Sequence, residues 1–309
     1  MATTEQIKAL IKAHYDQDNE RFKTAALRIA ASETRNGDVA SGREITAMVD
    51  AFPCMKDGGI KDDLFIVSLP ETPRIKDLVF PDEVVGKLQR VVFEDRQRGK
   101  IEAYGLSRRR KILIEGPRGT GKTATAAALA AKLGLPLLTV KPGETAGNLQ
   151  QIFKTVANCR GVYLFDEFDV KGVFDPLLWF IKEDVSESII VATTRNKETL
   201  DQDMLYCFDD VMCFKMPTVE QTKQIVANCT GGYDPDFTLG DKVAADLSKL
   251  CQADIVRICK DAMKDCLLGD FPLFDELFER ACADRLSVYD KHKSETGESK
   301  HDMLFAGDI

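Results

Sequence analysis

Lys122 and Thr123 close the run Gly116-Pro117-Arg118-Gly119-Thr120-Gly121-Lys122-Thr123. G-x-x-x-x-G-K-[ST] is the spacing at which backbone N–H groups turn inward onto phosphate oxygens. Gly119 and Gly121 leave those groups uncovered, where a side chain would block an approaching anion. Lys122 brings a compact cation to the β- and γ-phosphates, and the Thr123 hydroxyl is a ligand for Mg²⁺. A second reactive pair, Asp166-Glu167, ends the apolar run Val162–Phe165. An aspartate at the carboxyl end of a buried strand holds Mg²⁺, usually through its waters. The glutamate beside it stands where a base orients and deprotonates an attacking water. Buried strands often end in acids, so the acidic pair gains its meaning from the phosphate loop that precedes it.

Both motifs need strands to present them. Ile112, Leu113 and Ile114 read as a buried strand feeding the loop, and the alanine-rich segment 124–133, opening at Ala124, has strong helix propensity. Such a helix adds the positive end of its dipole to the phosphate cradle. Further strands are expected at 137–140, 162–165, 188–194 and 211–214, with helices at 148–159 and around 177–181 between them. Strands alternating with helices imply a parallel sheet in an α/β domain. Beyond Thr218 the strand signal disappears, and helices are expected at 220–229, 241–250, 254–268 and 274–289. The organisation predicted is a helical unit at 1–52, a linker at 53–74, an α/β core at 75–217, a small helical lid at 218–290 and a disordered tail at 291–309. Within 1–52, apolar spacing gives helices on either side of a polar break at 16–20, and a third candidate at 41–52. One long charged helix is expected from 81 to 104.

With 44% hydrophobic and 30% charged residues, the 309-residue chain has the make-up of an ordinary globular protein long enough for two domains. A net charge of −8 and a pI of about 5.2 argue against broad binding of nucleic acid, which needs a basic face. The run Arg108, Arg109, Arg110, Lys111 is a local exception, expected to solvate the entry to a strand. Nine cysteines without a C-x-x-C pair, and only three histidines, argue against a zinc site. With no signal peptide and no bilayer-spanning run in the sequence, a cytoplasmic protein with reduced thiols and no membrane association is expected.

GPRGTGKTAT, VYLFDEFD, the strand IIVATT and the later CQADIVRICKDAM together resemble an AAA+ ATPase of the classical clade, over roughly residues 70–270. The patterns IKALIKAHYDQDNERFKTAALRIA and RVVFEDRQRGKIEAYGLSRRRKILIEGP resemble one bacterial and phage group of these ATPases, in which the gene sometimes sits beside a subtilisin-like protease. The resemblance implies a P-loop NTPase core with a lid, binding ATP or ADP with Mg²⁺. By motif it assigns the phosphates to the run from Gly116 to Thr123, adds Ala124 to the nucleotide-binding residues, and gives the metal to Thr123 and Asp166 and water activation to Glu167. It sets Leu78 and Val79 beside the adenine and Ala253 at the start of the lid helix, with Asp254 next to it. A polar sensor should end the strand 189–194.

Four departures fall on parts the family uses for threading or for catalysis between subunits. The pore-gripping aromatic pair is missing where Thr139-Val-Lys-Pro142 runs into Gly143-Glu-Thr-Ala146. Between Glu167 and the next strand little room remains for a second pore loop and its helix. Tyr206-Cys207-Phe208-Asp209 stands where the family reads a pair of arginines before Phe-Asp, so the arginine finger is absent there. Arg195 occupies the usual sensor asparagine position, with Asn196 or Thr194 as substitutes; Arg195, Arg160 and Arg257 are the alternatives for the lost finger. An arginine finger contributes orders of magnitude in rate, so its loss predicts slow hydrolysis. The expectation is a slow Mg-dependent ATPase that remodels or regulates a protein partner, such as a protease or a related AAA+ subunit, with homo-oligomers as a further option. The alternatives are a nucleotide-binding regulatory or scaffold module with little hydrolysis, and a helicase-loader-like accessory.

Overall fold

The six strands of the sheet are short, and their residues explain why helices cover them on both faces. The computed structural model describes residues 3–16, 18–42, 45–46, 49, 64–68, 78–141, 145–168, 174–195 and 202–296. Strands β1 (Phe65–Ser68), β2 (Lys111–Glu115), β3 (Leu137–Val140), β4 (Val162–Phe165), β5 (Ile189–Thr194) and β6 (Asp210–Cys213) lie in the order β1-β3-β4-β5-β2-β6. β1 runs antiparallel to β3, and every other pairing is parallel. β4 and β5 are buried along their whole length, the mark of central strands in a parallel sheet.

Alternate residues of the inner strands feed two different cores. Ile112, Ile114, Val162, Leu164 and Val191 pack under α3 (Asp82–Arg96) and α5 (Lys122–Leu133). Leu113, Tyr163, Phe165, Ile190 and Ala192 pack under α6 (Thr145–Asn158) and α7 (Phe174–Glu183). The helix expected from 81 to 104 is two: α3 stops at Gln97, and α4 (Arg98–Glu102) restarts there. β1 lies inside the stretch 53–74 expected to be a linker. Its apolar run was too short to outweigh the turn residues around it, yet Phe65 and Leu64 are buried against the sheet.

Between β5 and β6 runs α8 (Gln202–Leu205). The lid follows β6 as α9 (Val219–Thr230), α10 (Asp241–Leu247), α11 (Gln252–Gly269) and α12 (Asp275–Thr296). Ile225, Val243, Leu247, Ile255, Ile258 and Phe278 form its own core. A capping box between Thr218 and Gln221 starts α9. α12 continues through residues 291–296, which composition alone assigned to a disordered tail; residues 297–309 lie outside the described set. At the other end, α1 (Thr4–Tyr15) and α2 (Asn19–Arg35) pack on each other, capped by Thr3 and Asp18. Ile7, Ile11 and Tyr15 of α1 remain exposed. Among the described residues, seven cysteines are free thiols. Among the described residues, no helix is long and apolar enough to cross a membrane.

Candidate functional site

The phosphate loop leaves the carboxyl end of β2, and the acidic pair leaves the carboxyl end of β4, with β5 between them. Gly116 is tied to β5 by its N–H, which donates to the Thr194 carbonyl at 3.1 Å. Its φ of +149° and a Cβ that would fall 2.6 Å from the Phe214 carbonyl oxygen leave room for glycine alone. Gly119, at φ +72°, is constrained from the lid side: a Cβ there would lie 2.4 Å from Cys251 Sγ. α5 then begins at Lys122 behind Gly121 and directs its first N–H groups at the loop.

Lys122 is 6% exposed. Its Nζ donates to the carbonyls of Gly116 at 2.6 Å and Pro117 at 2.8 Å, so the ammonium already lies within the loop. Carbonyl partners are neutral, and phosphate oxygens would form stronger charge-assisted bonds with the same ammonium. Thr120 Oγ1 also closes on Pro117, at 2.8 Å.

The two expected metal ligands meet: Thr123 Oγ1 donates to Asp166 Oδ2 at 3.0 Å. Thr193, on β5, donates to Asp166 Oδ1 at 2.6 Å and accepts the Glu167 N–H at 2.8 Å. Sequence reading sought the sensor at Arg195, Asn196 or Thr194 and did not name Thr193, which bonds to both acidic residues. The available signal was the pairing of β5 with β4, which sets the end of one strand beside the end of the other. Thr194 is fully buried and meets the loop through its carbonyl. Asn196 lies outside the described residues.

Glu167 adopts φ +48°, a left-handed conformation unusual for a residue with a side chain and costing about 1–3 kcal/mol. Its carboxylate takes Arg195 Nη2 at 2.6 Å and Arg118 Nε at 3.1 Å. Burial by itself would raise the Glu167 pKa, but the hydrogen bonds and charges of Arg195 and then Arg118 outweigh it and hold the group down at about 2. Of the three arginines considered as substitutes, Arg195 is therefore in the site. Arg160 is not: its Nη2 binds both oxygens of Asp95, at 3.0 and 2.9 Å, beside the amino end of β4. Arg257 lies on α11.

The run Arg108–Lys111 is not a free basic face. Arg108 binds Glu187, Arg109 binds Glu94, Arg110 binds Asp184, and Lys111 Nζ donates to the Lys182 carbonyl. Residues 78–80 cross between the two cores: Val79 packs in the lid, while Leu78 and Phe80 pack against the sheet. Ala253 gives its N–H to the Gly119 carbonyl at 2.9 Å, so the lid touches the phosphate loop directly. Residues 142–144 and 169–173, where pore loops were sought, lie outside the described set; a ten-residue helix, α7, does occupy the span after Glu167 despite its shortness. Tyr206, in the segment where an arginine finger was sought, is 83% exposed.

A phosphate loop after one parallel strand and an acid pair after another, joined through the strand between, define a P-loop nucleoside-triphosphatase fold with a helical lid. Residues 112–216 match the family described as "ATPase family associated with various cellular activities (AAA)". Over that stretch the chain is similar to AAA ATPases, and it has AAA ATPase relatives. It is 29% identical over 301 residues to the uncharacterized AAA family ATPase y4kL of Sinorhizobium fredii, covering 85% of this chain and 89% of that protein. It is 26% identical to the peroxisomal ATPase PEX6 of Saccharomyces cerevisiae, over 64% of this chain and 22% of that protein. A third relative, the ATPase family gene 2 protein homolog B of Bos taurus, is 26% identical over 82% of this chain and 40% of its own length. Among solved structures, a single-substitution variant of Thermotoga maritima RuvB shares the fold, with a TM-score of 0.53, 18% identity and coverage of 69% of this chain and 72% of that one.

Proposed function

We propose that the protein binds ATP and ADP with Mg²⁺ between its core and lid, and that it hydrolyses ATP slowly to remodel or regulate a protein partner. One observation carries this reading: Thr123, Asp166, Thr193 and Glu167 form a single hydrogen-bonded set beside the loop that holds Lys122. The residues fit the ligands. Glycines leave the cradle open on its concave side, a buried ammonium donates there to two backbone carbonyls, and a hydroxyl and a carboxylate converge as oxygen donors. Mg²⁺, when bound, supplies charge neutralisation at the phosphate oxygens.

Within that arrangement Lys122 exchanges its two carbonyls for phosphate oxygens. Thr193 fixes the orientation of Asp166 and of the Glu167 backbone together. Glu167 receives the proton of the attacking water. Arg195 and Arg118 keep Glu167 ionised and give the site a cationic charge of its own, where the family draws one from a neighbouring subunit. The arginines engage both carboxylate oxygens and lower the basicity that Glu167 brings to water, and this supports slow turnover. The partner in this reading is a protein, either a protease, a related AAA+ subunit or a second copy of this chain, in the cytoplasm. A second reading, a nucleotide-binding module without turnover, is favoured by the same double clamp on Glu167.

ATP turnover of the wild type, Glu167→Gln and Lys122→Ala decides between the two readings. The expected result is nucleotide binding by the wild type and Glu167→Gln, with turnover lost in Glu167→Gln. A wild type no faster than Glu167→Gln would leave the binding module.

A further inference from the structure

The first turn of α11 spends its polar groups in an unusual way. Its N-cap, Cys251, makes no side-chain cap to the helix. The Ala253 N–H, which an ordinary cap would satisfy, instead donates to the Gly119 carbonyl at 2.9 Å. Asp254, the third residue of the helix, is 2% exposed. Asp254 Oδ1 takes Arg285 Nε at 3.0 Å and Nη2 at 2.7 Å, and Oδ2 takes the Tyr289 hydroxyl at 2.6 Å and Cys251 Sγ at 3.1 Å. The Arg285 guanidinium also lies 5.4 Å from the centre of the Tyr289 ring, so the two α12 residues support each other.

We propose that Arg285 and Tyr289 are positioning residues that set the phosphate loop through Asp254, so that the C-terminal helix controls phosphate affinity. A trans peptide points its N–H opposite to its carbonyl. Holding the Gly119 carbonyl on Ala253 therefore also fixes the direction of the Thr120 N–H, one of the amides of the phosphate loop. Cys251 packed on Gly119 fixes the same peptide sterically. Without Arg285, Asp254 would be a buried charge short of its cation and would turn outward. The first turn of α11 would then shift and release Gly119.

This inference rests on the nucleotide-binding reading, and equilibrium titration of the full chain with a fluorescent ADP analogue, with adenosine as competitor, separates the two. Arg285→Met is expected to weaken ADP about tenfold, within the usual range for coupling between sites. Adenosine, which has no phosphate, should change less than about twofold. Arg285→Lys restores part of the loss. Tyr289→Phe, which removes one hydroxyl and keeps the ring, weakens ADP about threefold and supplies the test if Arg285→Met does not fold. Equal losses for ADP and adenosine, or ADP binding unchanged in a folded variant, would overturn the latch. A wild type that binds no ADP would overturn the nucleotide-binding reading and the latch with it.

Discussion

At the amino ends of the strands, Asp95 takes Arg108 and Arg160, and Arg108 reaches on to the carboxylate and carbonyl of Glu187. At the carboxyl ends, Glu167 takes Arg118 and Arg195. The ingredients match and the exposure does not. The central Arg108 and Asp95 side chains are 3% and 5% exposed, with Arg160 at 31% and Glu187 at 57% around them, whereas Arg118, Glu167 and Arg195 are all 30% to 38% exposed. A buried pair is fixed, because separating it strands a charge away from water. A half-exposed pair exchanges partners at little cost, because water replaces what it loses. One end of the sheet is a permanent tie between α3 and the strand entries, and the other is a set of contacts ready to be traded for phosphate.

The largest expected effect breaks the fixed end. Asp95→Ala should lower the unfolding free energy by about 3–5 kcal/mol in chemical denaturation. ADP affinity should stay within about twofold, because the change lies at the far end of the sheet. Next comes Lys122→Ala, which should weaken ADP about a hundredfold, or ~3 kcal/mol of charge-assisted hydrogen bonding, by the same fluorescence titration. Its melting temperature should hardly move. Arg195→Ala sharpens the contrast most finely. Stability should change by less than about 1 kcal/mol, while steady-state ATP turnover falls about tenfold through loss of one positioned charge. A rise in turnover would instead mean that Arg195 restrains Glu167 rather than serving it.

Much of this was readable from residue types. Strands at 137–140 and 162–165 are bounded as their apolar runs end, because β-branched and aromatic residues there have turn residues or acids on either side. The meeting of Thr123 with Asp166 follows from two local motifs whose strands are fixed by the α/β pattern. Thr193 was not readable, because its role comes from the side-by-side pairing of β5 and β4 and from no motif of its own. β1 was hidden by neighbouring turn residues, and it forms because the edge of β3 offers it a partner. The break at Gln97 was equally silent, since the apolar spacing continues through it to Ile101. The Asp254 cluster joins residues 31 and 35 positions apart. Only the packing of α12 against α11 brings them together.

Hydrogen exchange with and without Mg·ADP tests most directly which end of the sheet works. Amides of 116–123 and of the first turn of α11, 252–255, should slow on addition of nucleotide, while those of 108–110 and 187–189 stay as they were. Protection confined to the amino ends, or no change at 116–123 at saturating nucleotide, would contradict the account.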